Sequence, residues 1–303
     1  MISLLIPVYN FNCSKLVTTL VQQAERCKQK LNNKNEAFDF EIIIADDAST
    51  IPDLREANKS ICHPNLKYIE QKNNLGRAAI RNFLYKEAQF DYMLFIDCDA
   101  EVCTEDFIEQ YWIKRNQADV ICGSLKTPRI CPKGCELRYT YEKKASSMRD
   151  EEFRNHHPYS YLSTFNVMFQ RHVLNVLQFD ERCNEYGYED ALMGLMLKEK
   201  GFRVYHFSNP LIHTGLDKNR DFILKTETSL RILRKLGHPM QSFSAISRTE
   251  NLLLNTHTHT IIHFILSKSR SFLLRNLTSA TPSLFCFNLY KLLYYLETKK
   301  IQK

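Results

Sequence analysis

Two carboxylates, Asp97 and Asp99, stand one residue apart at the end of the apolar run Tyr92-Met93-Leu94-Phe95-Ile96. A run of this kind between polar neighbours reads as a strand buried on both faces. Open α/β sheets gather their ligands beyond the carboxyl ends of such strands. Two acids fixed there suit a hard divalent cation, with a phosphate ester as its companion. Taken alone, they fit an ordinary acidic strand-end turn equally well.

Two further apolar runs end in residues able to bind a ligand. The first ends Ile6-Pro7-Val8-Tyr9-Asn10, the second Ala45-Asp46-Asp47-Ala48-Ser49. A parallel sheet puts all three ends on one edge and turns separate signals into one expected site. An acid after a second strand can accept hydrogen bonds from a nucleobase or a ribose. Pro7-Val8-Tyr9-Asn10 holds no glycine, which disfavours a dinucleotide-binding dehydrogenase, and the absence of a GxxxxGK[ST] string excludes a P-loop.

The elements that must position these residues follow from the hydrophobic pattern. Strands are expected at 2–8, 41–45, 66–69 and 92–96, with helices at 14–31 and 78–88 between them. Such alternation predicts an α/β fold, a mostly parallel sheet with helices on both faces. Further strands are expected at 118–125, 166–170 and 203–207, and helices at 188–200 and 222–236. The polar stretch 126–157, with Pro128, Pro132 and Gly134, reads as a loop with a helical piece and is a candidate lid.

Composition narrows the function classes. The 303 residues are 44% hydrophobic and 25% charged, as in a globular protein. The net charge is +7, and from Glu250 onward seven Lys or Arg face only Glu250 and Glu297, an excess of five. No nucleic-acid-binding module accompanies that charge, so nucleic acid is not an expected partner. The chain opens Met-Ile-Ser-Leu-Leu-Ile-Pro without a basic n-region, so its ten cysteines are expected as free thiols in a cytoplasmic setting. Cys131-Pro-Lys-Gly-Cys135 lacks the second ligand pair of a zinc knuckle. No stretch approaches the ~20 apolar residues of a membrane span.

The motifs together resemble a known family. Pro7-Val8-Tyr9-Asn10, Glu41 to Ser49, Asn74-Leu75-Gly76-Arg77-Ala78-Ala79-Ile80-Arg81-Asn82 and Asp97-Cys98-Asp99 look like the ordered signature of the inverting family 2 nucleotide-sugar glycosyltransferases of GT-A fold. The resemblance continues through Phe179-Asp180-Glu181, Gly187-Tyr188-Glu189-Asp190 and Gly201-Phe202, over roughly residues 1–215. Each motif alone is weak; their order and spacing carry the likeness.

The resemblance implies roles. Pro7, Tyr9, Asp46, Asp47, Gly76, Arg77 and Asp97 would bind the nucleotide, with Tyr9 against the uracil and Asp47 on its edge. Asp99 would hold Mn²⁺ or Mg²⁺, with Asp97 shared between metal and ribose and His213 as a further ligand. Asp190 would be the general base, and Glu189 and Tyr188 would meet the acceptor; Asn166, after Ser163-Thr164-Phe165, is read from its position alone as able to touch the acceptor sugar or a phosphate, or to do neither. Ala48 replaces a common glycine, which implies a turn needing no positive φ. Tyr186 and Tyr188 stand where tryptophan is frequent. The implied division is a GT-A domain over 1–239, with a nucleotide-sugar half (1–100) and an acceptor half (101–239), and a basic amphipathic helical tail over 240–303.

The chemistry is consistent with that assignment. Inversion needs a base for the acceptor hydroxyl, and a carboxylate at a helix start can serve; a divalent ion offsets charge on the leaving diphosphate. Plainer readings exist. Glu189 and Asp190 could cap the following helix, His213 could be a core histidine, and Arg77 and Arg81 could form a solvated face. The tail can lie on an anionic membrane or pack its apolar stripe on the protein, and packing is favoured. The expected activity is metal-dependent transfer of a hexosyl or N-acetylhexosaminyl group from a UDP-sugar to a glycan or lipid-linked acceptor, for surface glycan synthesis. The expected place is the cytoplasm, with a peripheral contact on the inner face of the membrane. A nucleotidyltransferase and a non-catalytic nucleotide-sugar binder are the alternatives.

Overall fold

The computed structural model describes residues 1–183, 186–237 and 240–298. In chain order the elements are β1 (Ile2–Val8), α1 (Ser14–Asn32), β2 (Phe40–Asp46), α2 (Pro52–Lys59), β3 (Leu66–Glu70), α3 (Arg77–Glu87), β4 (Tyr92–Ile96), β5 (Ala100–Val102), α4 (Phe107–Lys114), β6 (Val120–Lys126), α5 (Glu136–Met148), α6 (Glu151–His156), β7 (Asn166–Gln170), α7 (Arg171–Val176), α8 (Glu189–Lys200), β8 (Val204–His213), α9 (Asn219–Leu236), α10 (Met240–Phe243), α11 (Ala245–Asn255), α12 (His259–Leu277) and α13 (Leu284–Thr298). The chain forms two compact units, one of Met1–Pro128, Ser146–Asn184 and Glu189–Gly215, the other of Arg129–Ala145, Glu185–Tyr188 and Leu216–Lys303.

The first unit is built on one sheet of order β3-β2-β1-β4-β7-β6-β8-β5. Strands β3, β2, β1 and β4 are mutually parallel, as the alternating pattern predicts. Strand β7 runs antiparallel to both β4 and β6, and the three-residue β5 runs antiparallel to β8. Alternate residues of β1 serve opposite faces. Leu4, Ile6 and Val8 pack with Leu16, Val17 and Leu20 of α1, whereas Leu5 packs with Ala78, Ile80 and Leu84 of α3. Pro7 lies in a central strand, a place that its missing N–H disfavours. The β1–β4 ladder has already ended at Leu5↔Phe95, so the proline sits where only β2 still runs alongside.

The mixed topology positions the site. Because β7 is reversed, its first residue, Asn166, pairs with Ile96, the last of β4. The segment before β7 therefore arrives at the carboxyl edge beside Asp97. Likewise β8 ends at His213 opposite Ala100, next to Asp99.

Two expected elements change, and two short helices are added. The stretch 126–157 is mostly helical, as α5 and α6, the latter capped by Asp150, whose Oδ1 accepts the Phe153 N–H at 2.8 Å. The strand expected over 203–207 continues to His213. Helices α2 and α4, each eight residues, carry too short a pattern to stand out in the sequence.

The second unit is helical. Leu137 of α5 packs with Phe222 and Ile223 of α9, Leu273 and Leu277 of α12, and Phe287 and Tyr290 of α13. Arg234 of α9 makes a two-bond ion pair with Glu250 of α11, at 2.6 and 2.7 Å, and its guanidinium lies 3.5 Å from the Tyr295 ring. The tail helices are thus fastened to α9 by both apolar and ionic contacts. Lys299, Lys300 and Lys303, part of the tail's basic surplus, lie outside the described residues. Among the described residues no helix is long and apolar enough to cross a membrane. All ten cysteines are free thiols.

Candidate active site

The β1 and β2 ends are strapped together. Asn10, with φ at 50°, donates its N–H to Ser49 Oγ at 2.8 Å, and its Oδ1 accepts the Thr50 N–H at 2.8 Å. This leaves the Tyr9 side chain outside the strap, 48% exposed. Asp46 is turned inward, accepting the Ser49 N–H at 2.7 Å and the Tyr68 hydroxyl at 2.7 Å. Asp47 Oδ1 accepts the Leu75 N–H at 2.6 Å and Oδ2 the Gly76 N–H at 3.0 Å. Burial pushes the Asp47 carboxyl up, and these two backbone donors only partly oppose it. Gly76 has φ of 83° and precedes α3, a backbone state that favours glycine. Together Asp47 and Gly76 aim the start of α3, and so Arg77, at the sheet edge.

Ala48 corrects the sequence reading. Its φ is 60°, so this turn does use the left-handed region, with alanine in place of glycine. Two hydrogen bonds on the next residue, Asn10 N–H to Ser49 Oγ and Ser49 N–H to Asp46 Oδ1, over-determine the turn and hold the strained residue.

The two acids after β4 have different partners. Asp97 Oδ1 accepts from Arg81 Nη2 at 2.7 Å, and the Arg81 side chain is only 2% exposed. Arg81 is therefore no solvated helix face; it is a buried counter-charge, supported by the Arg77 carbonyl and lying 5.9 Å from the Phe179 ring centre. Asp99 Oδ2 lies 3.1 Å from His213 Nε2. Burial alone would raise the Asp99 carboxyl, but His213 and the Arg77 charge outweigh it and hold it below the usual range. Asp99 Oδ1 is buried without a hydrogen-bond partner. A Cβ on Gly215 would fall 2.4 Å from Asp99 Oδ2, so glycine gives this carboxylate its room.

The chemistry of these residues suits a divalent cation. An orphaned buried carboxylate oxygen beside an imidazole nitrogen is a two-ligand start to a coordination shell that phosphate and water oxygens can complete. Among the described residues no group of three or more His, Cys, Asp or Glu forms a protein-only cage.

The third part of the site opens α8. Glu189 is buried and pairs with Arg77, Oε1 to Nη1 at 3.0 Å. Burial raises its carboxyl, yet the charges of Arg77 and Arg81 prevail and hold it below the ordinary value. Asp190 behaves oppositely. Burial, then the Glu189 charge, push it up to about 6, against the opposing pull of Arg81 and a hydrogen bond from Thr164. That bond runs from Thr164 Oγ1 to Asp190 Oδ1 at 2.7 Å. Two adjacent carboxyls are thus driven in opposite directions, the signature of divided roles.

Of the expected site residues, the first unit joins Asp47 to Gly76, Arg77 to Glu189 and Asp99 to His213. Asn166 is elsewhere. Its amide lies inside the sheet, donating to Asn209 O at 2.8 Å and accepting the Tyr111 hydroxyl at 2.6 Å, and only 3% of the residue is exposed. An acceptor contact by Asn166 would have to break that network. Tyr188, in the second unit, has φ of 66° and is hydrogen-bonded to Ser244. Sequence reasoning passed over Thr164 and Gly215 and left Arg81 undecided. Arg81 alone carried a signal, standing four residues after Arg77 on one helix.

Comparison with known proteins supplies the family. The sequence profile of glycosyl transferase family 2 matches residues 3–177. A chondroitin synthase of Pasteurella multocida is 26% identical over 252 residues, 68% of this chain and 25% of that protein. A poly(ribitol-phosphate) β-glucosyltransferase of Bacillus spizizenii is 35% identical over 130 residues, 41% of this chain and 19% of that protein. The chain thus spans a quarter or less of the length of these two relatives. In fold it is similar to a mannosyltransferase from Pyrobaculum calidifontis, solved with GDP-mannose and Mn²⁺, at a TM-score of 0.53 and 14% identity over 99% of this chain and 86% of that one. It is also similar to the glucosyl-3-phosphoglycerate synthase of Mycobacterium tuberculosis, solved with Mn²⁺ and UDP, at 0.51 and 14% over 79% and 81%. The sheet has the GT-A fold, and the chain belongs to glycosyl transferase family 2.

Proposed function

We propose that the chain moves a sugar with inversion from a nucleotide-sugar, UDP-linked by preference, to a hydroxyl of a glycan or lipid-linked acceptor in polysaccharide synthesis. The observation that carries this reading is Asp190, fixed by Thr164 at the start of α8 and raised to about 6. A carboxylate of that pKa is ionised at neutral pH yet more basic than an ordinary one, which suits proton removal from an attacking hydroxyl.

The other residues divide the remaining work. Tyr9 offers an exposed ring to the base, and each Asp47 oxygen keeps a second lone pair for the base's edge. Asp99 and His213 would hold a divalent cation; the imidazole favours Mn²⁺ over Mg²⁺, because nitrogen donors suit transition metals better. That ion supplies positive charge against the departing diphosphate. Asp97, its charge already matched by Arg81, suits a ribose hydroxyl better than the metal. Arg77, 41% exposed beside Glu189, places a cation at the diphosphate side. Glu189 keeps Asp190 basic by like charge and anchors Arg77. Tyr188 remains a candidate for the acceptor sugar.

Release of UDP from UDP-glucose, UDP-N-acetylglucosamine and UDP-glucuronate, with Mn²⁺ and with chelator, tests the reading. Metal-dependent release from at least one donor is expected. Donor binding without turnover, with or without glycan acceptors, would favour the non-catalytic alternative.

A further inference from the structure

Helix α12 is apolar on two opposite sides. Leu266, Leu273 and Leu277 are buried, the latter two in the core shared with α9 and α13. On the other side Ile261, Phe264, Ile265 and Phe272 are 61%, 62%, 52% and 63% exposed. Lys268 and Arg275 complete the spacing i, i+3, i+4, i+7, i+11, i+14, so all six residues share one stripe. A contiguous exposed apolar stripe on a helix whose other side is already packed marks a surface for protein or lipid.

We propose that this stripe docks α12 flat on an anionic bilayer surface. Charge selects the occupant. The helix carries no Asp or Glu, and its two exposed cations stand within the apolar stripe rather than at its rim. Lys268 lies with its ammonium 5.6 Å from the Phe264 ring centre. Long basic side chains among buried apolar groups reach up to a phosphate layer while their neighbours sink below it. A second copy of the chain is the poorer fit. Pairing this face with itself by a two-fold axis near mid-stripe sets Lys268 against Lys268, with no acid on the helix to separate them. The convex side of one helix suits a planar surface, and apolar insertion plus phosphate attraction supply two independent binding contributions.

The test is co-sedimentation of the full chain with vesicles of equal phosphatidylglycerol and phosphatidylcholine, and of phosphatidylcholine alone. Binding is expected at least tenfold stronger to the anionic vesicles. Lys268→Gln and Arg275→Gln should each weaken it about fivefold, and Phe264→Ser with Phe272→Ser at least tenfold. All four positions are exposed, so circular dichroism and melting temperature should be unchanged. Lys86→Gln with Lys200→Gln removes two charges elsewhere, one more than either single variant, and should leave binding within twofold. Equal loss in that control would overturn the proposal in favour of general charge attraction. No vesicle binding by the parent chain would overturn it as well, as would dimers in sedimentation velocity that Phe264→Ser dissolves.

Discussion

Arg81 and Asp97 form a buried ion pair, Nη2 to Oδ1 at 2.7 Å, between the second turn of α3 and the end of β4. The pair explains why two acids one residue apart differ: Asp97 has its counter-charge, whereas Asp99 keeps a buried oxygen without a partner. Removing one member of a buried pair strands the other. Arg81→Met should therefore lower stability by about 3 kcal/mol, read by urea unfolding. Arg81→Lys should recover only part of it, since an ammonium cannot replace the planar guanidinium that also reaches the Arg77 carbonyl. A loss under 1 kcal/mol would contradict the pairing.

The pH dependence follows from Asp190. Its folded value of about 6 lies above the ordinary 3.8. Between these values the folded protein holds a proton that the unfolded chain has lost, so this group's contribution to stability declines as pH rises through that window. Activity runs the other way: kcat/KM should fall about tenfold per pH unit below about 6 and level above it, if the ionised base is the active form. Glu189→Gln deletes a like charge that raises Asp190. The acid limb should then move to lower pH; an unmoved or raised limb would contradict the coupling.

The carboxyl edge of this sheet was legible because parallel strands converge there whatever their order. Pro7 to Asn10, Asp46-Asp47 and Asp97-Cys98-Asp99 could be joined from spacing alone. Asn166 was not decidable from sequence: an asparagine at a strand start looks the same whether its amide meets a ligand or holds neighbours such as Tyr111 and Asn209. Thr164 was hidden for a related reason. Its partner Asp190 lies 26 residues away, and only the reversed β7 brings the two together. Ala48 misled because sequence tells which residue tolerates positive φ cheaply, not which is forced into it by neighbouring hydrogen bonds. The outward stripe of α12 was counted as part of one amphipathic face, although the helix has two.

Metal binding should depend on the Asp99–His213 pair, separated by 3.1 Å. His213→Ala should weaken Mn²⁺ binding about tenfold or more in the presence of UDP, and Asp99→Asn more still, measured by Mn²⁺ electron paramagnetic resonance. Losing a ligand and losing its orienting neighbour both carry costs of this order. Unchanged Mn²⁺ affinity in both variants would move the metal elsewhere.

Gly215 gives a sharper geometric check. An added Cβ would meet Asp99 Oδ2 at 2.4 Å and Asp99 Cβ at 2.6 Å, closer than atoms can stand. Gly215→Ala should displace the carboxylate and reduce turnover at least tenfold, while urea unfolding shifts by about 1–3 kcal/mol. A crystal structure of the variant with Asp99 unmoved would contradict the close approach.

The most direct measurement is transfer by Asp190→Asn beside its donor affinity. The amide keeps the size of the carboxyl and can still accept the Thr164 hydroxyl, so the fold and the proposed nucleotide-sugar site should be retained, with donor affinity within about threefold. Turnover to acceptor should fall by about 10²–10⁴. Undiminished transfer with intact donor binding would remove Asp190 as the base.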